Sequence, residues 1–332
     1  MSKQFKAMIV EEVEPKQFAR RIGERTIADL PEGEVLIRVH YSSLNYKDAL
    51  SATGNRGVTK NFPHTPGIDA AGVVEESQSA EFSAGDQVVV IGYDLGMNTA
   101  GGFGQYIRVP AAWVAKLPAG LSLKESMIYG TAGFTAALSV HKLLAAGVKP
   151  EQGPVVVTGA TGGVGSVAVG ILAQEGFEVV AATGKTDEAE FLKTLGAAEV
   201  VDRGKFDDDS GRPMLRGTYA GAVDTVGGNT LATLLKITQY GGAVTCCGMV
   251  AGANFTSSVF PFILRGVSLL GVDSVECDMS VRHLIWPKIA TEWKLDQLST
   301  LVKELTLETL DNEIELILQG KQRGRVVVDL QA

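Results

Sequence analysis

Up to about Leu117 the hydrophobic positions come in short, strand-length runs, FKAMIV, VLIRVH, AAGVVE, DQVVVIG and QYIRVP, separated by turns rich in Gly, Pro, Asn and Asp. This texture predicts a small, irregular β-barrel rather than a wound sheet. From Ser122 the spacing turns helical, SLKESMIYGTAGFTAALSVHKLL, with Ser122 placed to cap its start. Strand and helix signals then alternate through FEVVAAT, EAEFLKTLG, AAEVVD, GAVDTVG, NTLATLLKITQ, GGAVTCCG and GVSLLGV. That order predicts a parallel, doubly wound sheet, hence an α/β fold. The tail mixes a helix around Pro287, in VRHLIWPKIATEWKL, with a closing strand, VVVDL, that completes the first domain. The expected division is therefore residues 1–121 with 300–332, and residues 122–299.

Between the long helix and the alternating region stands PVVVTGATGGVGSVAVGILA, Pro154 to Ala173, which reads as strand, glycine turn and helix without a break. Val155 to Val157 form the apolar β-branched run of a buried parallel strand. Gly159, Gly162 and Gly165 follow at three-residue spacing, where the chain must turn sharply, approach a pyrophosphate and let the helix pack closely on the strand. Thr161, Gly162, Gly163, Val164 and Gly165 then supply the helix start whose N–H groups face the phosphates. A glycine turn also marks plain tight turns, but the strand before it and the helix after it favour a dinucleotide site.

Composition narrows the partners. At 332 residues the chain exceeds the size at which a single core keeps growing, and 45% hydrophobic and 20% charged residues are values of an ordinary soluble protein. A net charge of -8 argues against nucleic acid, whose phosphates would be repelled overall. No stretch of eighteen uncharged apolar residues appears, and MSKQFKAMIV reaches Glu11 and Glu12 before any signal-peptide core, so a cytoplasmic protein without a membrane partner is expected. Cys246, Cys247 and Cys277 are an odd count in a long chain, which suits a reducing compartment without a disulfide framework, and all three read as small core residues.

Together with this arrangement, SSLNYKDAL, FPHTPGIDAAGVV, GTAGFTAA and VTGATGGVGS resemble the medium-chain dehydrogenase/reductase superfamily over nearly all of the chain. Within it, LNYKDAL, PGIDAAG, PFILRGVSLLGVDSV and the closing QRGRVVV resemble the zinc-independent YhdH/YhfP branch, whose members are described as quinone oxidoreductases or NADPH-dependent acrylyl-CoA reductases. The resemblance implies a GroES-like barrel as catalytic domain, a Rossmann fold for the second domain and a homodimer. Where zinc-dependent relatives carry a Cys and later a Gly-His-Glu, this chain has Asn45-Tyr46-Lys47-Asp48 and Gly67-Ile68-Asp69. Catalytic zinc needs about three converging ligands, and no such set is visible, so no metal is expected. Of the four histidines only His64 lies near the presumed cleft, where a loop role is favoured over a ligand.

The second strand of the wound sheet, FEVVAA, runs into Thr183-Gly184-Lys185 where an NAD-selective fold usually ends in a carboxylate for the ribose hydroxyls. A hydroxyl, a glycine and an ammonium suit a 2′-phosphate, and Arg203 can close the pocket, so NADPH is the expected cofactor. The plainer alternative is that Lys185 and Arg203 are solvated loop cations. By resemblance Tyr46, Met249, Ile263 and Ser274 line the nicotinamide half, between the domains, with Arg325 approaching from the tail. Met249 and Ile263 as core, Ser274 as a turn residue and Arg325 as a surface cation are the duller readings. The expected reaction is hydride transfer to the β carbon of an activated C=C bond, in acrylyl-CoA or a similar short enoyl thioester. Enolate charge would be met by backbone N–H groups, the Asn45 amide or the Tyr46 hydroxyl before the α carbon takes a proton, and Tyr46 could instead donate that proton or only hold the nicotinamide ribose. Asp69 is expected to face the cleft or to hold a loop through backbone N–H groups. Lys47, Arg56 and Lys60 are candidates for the CoA phosphates. A quinone reductase and a non-catalytic NADPH-binding sensor remain the alternatives.

Overall fold

Residues 3–332 are described by a computed structural model, in which the chain divides into two units. One comprises Met1–Thr131, Val275–Thr291 and Leu301–Ala332, and the other Ala132–Ser274 with Glu292–Thr300. In the first, β1 (Gln4–Glu14) and β2 (Gln17–Thr26) form an antiparallel hairpin. Then come β3 (Val35–Ser43), the short helix α1 (Tyr46–Ala52), β4 (Asp69–Ser77), β5 (Gln87–Ile91), β6 (Tyr106–Val109) and β7 (Ala115–Lys116). The long helix α2 (Leu123–Ala145) carries the chain out of this unit.

The second unit alternates β8 (Val155–Thr158), α3 (Gly163–Gln174), β9 (Val179–Thr183), α4 (Ala189–Thr194), β10 (Glu199–Asp202), β11 (Tyr219–Asp224), α5 (Gly228–Ile237), β12 (Thr238–Cys246), α6 (Phe260–Arg265) and β13 (Ser268–Gly271). The chain returns through α7 (Met279–Ala290), α8 (Leu298–Leu301), β14 (Val302–Thr306), α9 (Asp311–Leu318) and β15 (Arg325–Asp329).

Strand order in the second unit is β10-β9-β8-β11-β12-β13, parallel throughout. Counted from β8 this is 3-2-1-4-5-6, the Rossmann order, in which the first and fourth strands meet where the winding reverses. Val155, Val156 and Val157 have no exposed surface, because helices cover both faces of such a sheet. The first unit's main sheet runs β14-β15-β3-β4-β5-β7, with β6 also on β3. Every pair in it is antiparallel except β14 with β15. Its alternating inward residues, such as Val35, Ile37, Val39, Val88, Val90, Val326 and Val328, share one core.

Two segments fall on the other side of the division expected from sequence. Val275–Thr291, carrying α7, belongs with the first unit, as does the start of α2 up to Thr131. The reason for the former is Arg282, 1% exposed, whose Nη1 donates to Ile91 O (2.9 Å) and Nη2 to Val275 O (2.9 Å). Its guanidinium also lies 4.4 Å from the centre of the Tyr93 ring. A buried guanidinium bonded in this way ties α7 to the end of β5, alongside the buried Ile285, Trp286 and Ile289 of the same helix.

Candidate functional site

The glycine turn has the geometry its spacing anticipates. Gly159 has φ +58, and a Cβ there would meet Thr225 Oγ1 at 2.4 Å. A Cβ on Gly165 would sit 2.4 Å from Gly159 O and 2.7 Å from Ala160 Cα, so only glycine lets α3 pack on the turn. Gly162 is the N-cap of α3, and the N–H groups of Gly163, Val164 and Gly165 are in the first turn, free of intrahelical partners and able to hold a pyrophosphate. Thr161 Oγ1 lies 3.1 Å from Thr183 Oγ1, both hydroxyls buried, which ties the turn to the end of β9.

At that strand end Thr183 Oγ1 also accepts from Lys185 N at 3.0 Å. The hydroxyl expected to meet a 2′-phosphate thus also shapes the loop. Gly184 is exposed, and a Cβ on it would meet Arg203 Nε at 3.1 Å, so the guanidinium lies across the glycine. Lys185 is half-buried, and that burial pulls its ammonium down while Glu188 and Asp187 push it up. Two cations flank a position without a carboxylate, a set that fits a phosphate monoester.

The residues expected around the nicotinamide are disposed unevenly. Met249 and Ile263, each 68% exposed, are not core. Ser274 is buried and accepts a hydrogen bond from Thr135 Oγ1 at 2.7 Å. Tyr46, the first residue of α1, is 45% exposed.

Arg325 is not a surface cation, and four hydrogen bonds tie it to its own unit. It is buried in the first unit, with Nε donating to Ile128 O (2.9 Å), Nη1 to Leu44 O and Asn45 Oδ1 (both 3.3 Å) and Nη2 to Ser43 Oγ (2.9 Å). Asp69 opposes it, with Oδ2 at 3.8 Å from Nη2. Asp69 is fully buried rather than open to a cleft. Its Oδ2 accepts from Ser43 Oγ (2.5 Å) and Asn45 Nδ2 (2.7 Å), and Thr131 donates through N (3.1 and 3.0 Å) and Oγ1 (2.5 Å). The loop-holding alternative therefore describes Asp69 better. Asn45, 7% exposed, has its amide divided between Asp69 and Arg325, which removes it as a ready donor to a substrate oxygen.

Sequence reasoning missed Asp48, a second buried carboxyl. Its Oδ1 accepts from Ile68 N and its Oδ2 from Asn45 N, each at 2.7 Å. Burial pushes this carboxyl up to about 7, the charge of Asp69 adds to the rise, and the backbone N–H groups oppose it. The signal was present as Asn45-x-x-Asp48, an N-cap residue with an acid at the third helical position. Ser43 and Thr131 were also missed: they lie in SSLNYKDAL and GTAGFTAA, but nothing in those runs shows which buried carboxylate their hydroxyls meet.

Other candidates resolve plainly. His64 is buried with Nε2 2.9 Å from Gly96 O, and burial lowers its pKa, which fits a loop role. Arg56 is paired with Glu12 and with Lys60 O, and packs on the Phe18 and Phe62 rings. It is not poised for a phosphate. Lys47 is half-buried and Lys60 exposed. Burial pushes the Cys247 thiol up to about 12, so it is no nucleophile. Among the described residues no group of three His, Cys, Asp or Glu could hold a metal ion. No helix among them is long and apolar enough to cross a membrane.

Against known proteins, residues 31–119 match the alcohol dehydrogenase GroES-like domain and residues 163–289 the zinc-binding dehydrogenase family. YhfP of Bacillus subtilis, which carries a provisional quinone oxidoreductase assignment, is 48% identical over 91% of this chain and 92% of its own. Its crystal structure with NAD bound superposes with a TM-score of 0.96 at 45% identity, covering 99% of this chain and 100% of that one. Acrylyl-CoA reductase AcuI of Ruegeria pomeroyi is 42% identical over 99% of this chain and 100% of its own. The yhdH oxidoreductase of Salmonella enterica in complex with NADP gives a TM-score of 0.95 at 40% identity, covering 98% and 99%.

Proposed function

This chain belongs to the zinc-independent medium-chain dehydrogenase/reductases, in the YhdH/YhfP/AcuI branch, as an oxidoreductase with a GroES-like and a Rossmann domain, and from that premise we propose that it is an NADPH-dependent reductase of short enoyl thioesters such as acrylyl-CoA. The observation that carries the cofactor choice is the end of β9, where Arg203 lies across Gly184 beside Lys185 and no carboxylate is present to take the ribose hydroxyls. The substrate class rests on the similarity to AcuI over the whole chain. When bound, the dinucleotide supplies a hydride to the carbon β to the thioester carbonyl.

The residues of this chain do the rest. Gly162 to Gly165 and the first turn of α3 hold the pyrophosphate, and Lys185 with Arg203 holds the 2′-phosphate. Met249, Ile263 and Ser274 flank the nicotinamide. The α carbon ends by taking a proton from solvent or from Tyr46, while the carbonyl oxygen, on which the charge first gathers, needs a hydrogen-bond donor. Asn45 and Arg325 are committed to Asp69 and its neighbours, so that task falls to the Tyr46 hydroxyl at the exposed start of α1. Asn45 and Asp69 act as positioning groups beneath it. The enzyme works as a homodimer in the cytoplasm.

The test is a cofactor-oxidation assay of acrylyl-CoA, crotonyl-CoA and a benzoquinone, each with NADPH and NADH, on the wild type and Lys185→Ala. A preference for NADPH of at least tenfold, about 1.4 kcal/mol, is expected, eroded in the variant through the NADPH Michaelis constant. Equal use of NADH by the wild type overturns the phosphate reading. Turnover of the quinone alone replaces the enoyl reading with the quinone reductase.

A further inference from the structure

The helix α2 is interrupted over the buried charge cluster. Gly130 leaves helical geometry with φ +51 and ψ -155. A Cβ at this position would come 2.4 Å from Asp69 Oδ2, 2.6 Å from Ser43 Oγ and 2.9 Å from Arg325 Nη2. Only glycine fits there, on conformational and steric grounds together. The break releases backbone groups that a continuous helix would spend on itself, and the cluster uses them from both sides. Before the break Ile128 O receives Arg325 Nε, and after it Thr131 N reaches both oxygens of Asp69. Asp69 thereby stands at the N-terminus of the second arm of α2, where a carboxylate is favoured. Thr131 adds its hydroxyl at 2.5 Å. It is the last residue of its unit before the chain enters the nucleotide-binding one at Ala132.

We infer that Thr131 is a positioning residue for the reduction, clamping Asp69 so that Asn45, and with it the Tyr46 end of α1, stays fixed. The inference rests on the reductase reading given above. The chain of contacts is short: Thr131 holds Asp69, Asp69 accepts from Asn45 Nδ2 at 2.7 Å, and Asn45 is the N-cap residue directly before Tyr46. Ser43 Oγ, itself receiving Arg325 Nη2, donates to Oδ2 of Asp69 from the far side, with the guanidinium 3.8 Å from that oxygen, while Oδ1 is held by Thr131. Removing the hydroxyl takes away the 2.5 Å bond to Oδ1 and leaves that oxygen with the shared Thr131 N–H at 3.1 Å, so the carboxylate is held less firmly on this side. The Asn45 Nδ2 bond to Asp69 then loosens, and the amide keeps only its longer contacts, to Ser43 O at 3.4 Å and from Arg325 Nη1 at 3.3 Å.

Thr131→Val keeps the shape and the backbone N–H but removes the hydroxyl, and Thr131→Ser restores it. In the Val variant kcat with the wild type's preferred acceptor should fall about tenfold, while the NADPH dissociation constant stays within about twofold. Thr131→Ser should recover most of the loss. Independently of turnover, the Asn45 side-chain amide resonances, assigned by their loss in Asn45→Ser, should move upfield in Thr131→Val and return in Thr131→Ser. An unchanged amide shift, or a Ser variant as impaired as the Val variant, overturns the inference. A wild type that turns over none of the acceptors overturns the reductase reading instead, and the amide shift then decides on Thr131 alone.

Discussion

Although both oxygens receive backbone N–H groups, which favour the ionised form, Asp48 has no exposed surface and holds its proton up to a pH of about 7, burial being the larger cause and the charge of Asp69 the second. In the unfolded chain the same carboxyl ionises near pH ~4. Between those values the folded state binds more protons than the unfolded one, so this group's contribution is complete at low pH and is lost as pH rises through about 7. Asp48→Asn cannot titrate. The gap in melting temperature between wild type and Asp48→Asn is therefore expected to move against the wild type from pH 6 to pH 8.5. Scanning calorimetry at those two values checks it, and an identical gap would mean that Asp48 is ionised in the fold throughout. The acid was readable as a capping residue, but not its proton, because burial beside a second carboxylate belongs to the assembled fold.

Among elements, the turn between β8 and α3 has the least tolerance. A methyl on Gly165 would press on Gly159 O at 2.4 Å and Ala160 Cα at 2.7 Å, backbone atoms that can yield only by moving the helix start. Gly165→Ala should weaken NADPH binding by about tenfold or more, about 1.4 kcal/mol, because the N–H groups at that start lose their aim. Fluorescence titration of the bound cofactor measures it, and wild-type affinity would show that the turn does not hold the phosphates. This element was legible because its signal is local: a buried apolar run and glycines at fixed spacing. The strand β2, QFARRIGERT, was not. Its side chains are half-buried or exposed along its whole length, so no apolar alternation marks it, and its pairing with β1 alone makes it a strand.

For the molecule as a whole, the proposed homodimer is supported by apolar side chains exposed along the second unit: Val250 at 72%, Val259 at 64%, Leu264 at 54% and Phe260 at 43%. Sedimentation at micromolar concentration should give about 70 kDa, twice the 35.0 kDa chain, and Val259→Asp should shift it toward the monomer. A wild-type mass of one chain would remove the dimer. The amino-acid sequence by itself determined the two kinds of texture, the strands of the parallel sheet, the dinucleotide turn and the missing carboxylate after β9, since each is written in neighbouring residues. Only the tertiary structure decided that Arg325 is buried, that Asp69 and Asn45 are occupied with one another, and that Ser43 and Thr131 belong to the same cluster. Ser43 and Arg325 stand 282 positions apart and meet at 2.9 Å because β15 pairs beside β3. Which polar groups a buried charge finds is settled by strand register and by a helix break, and neither leaves a pattern in the residues on either side.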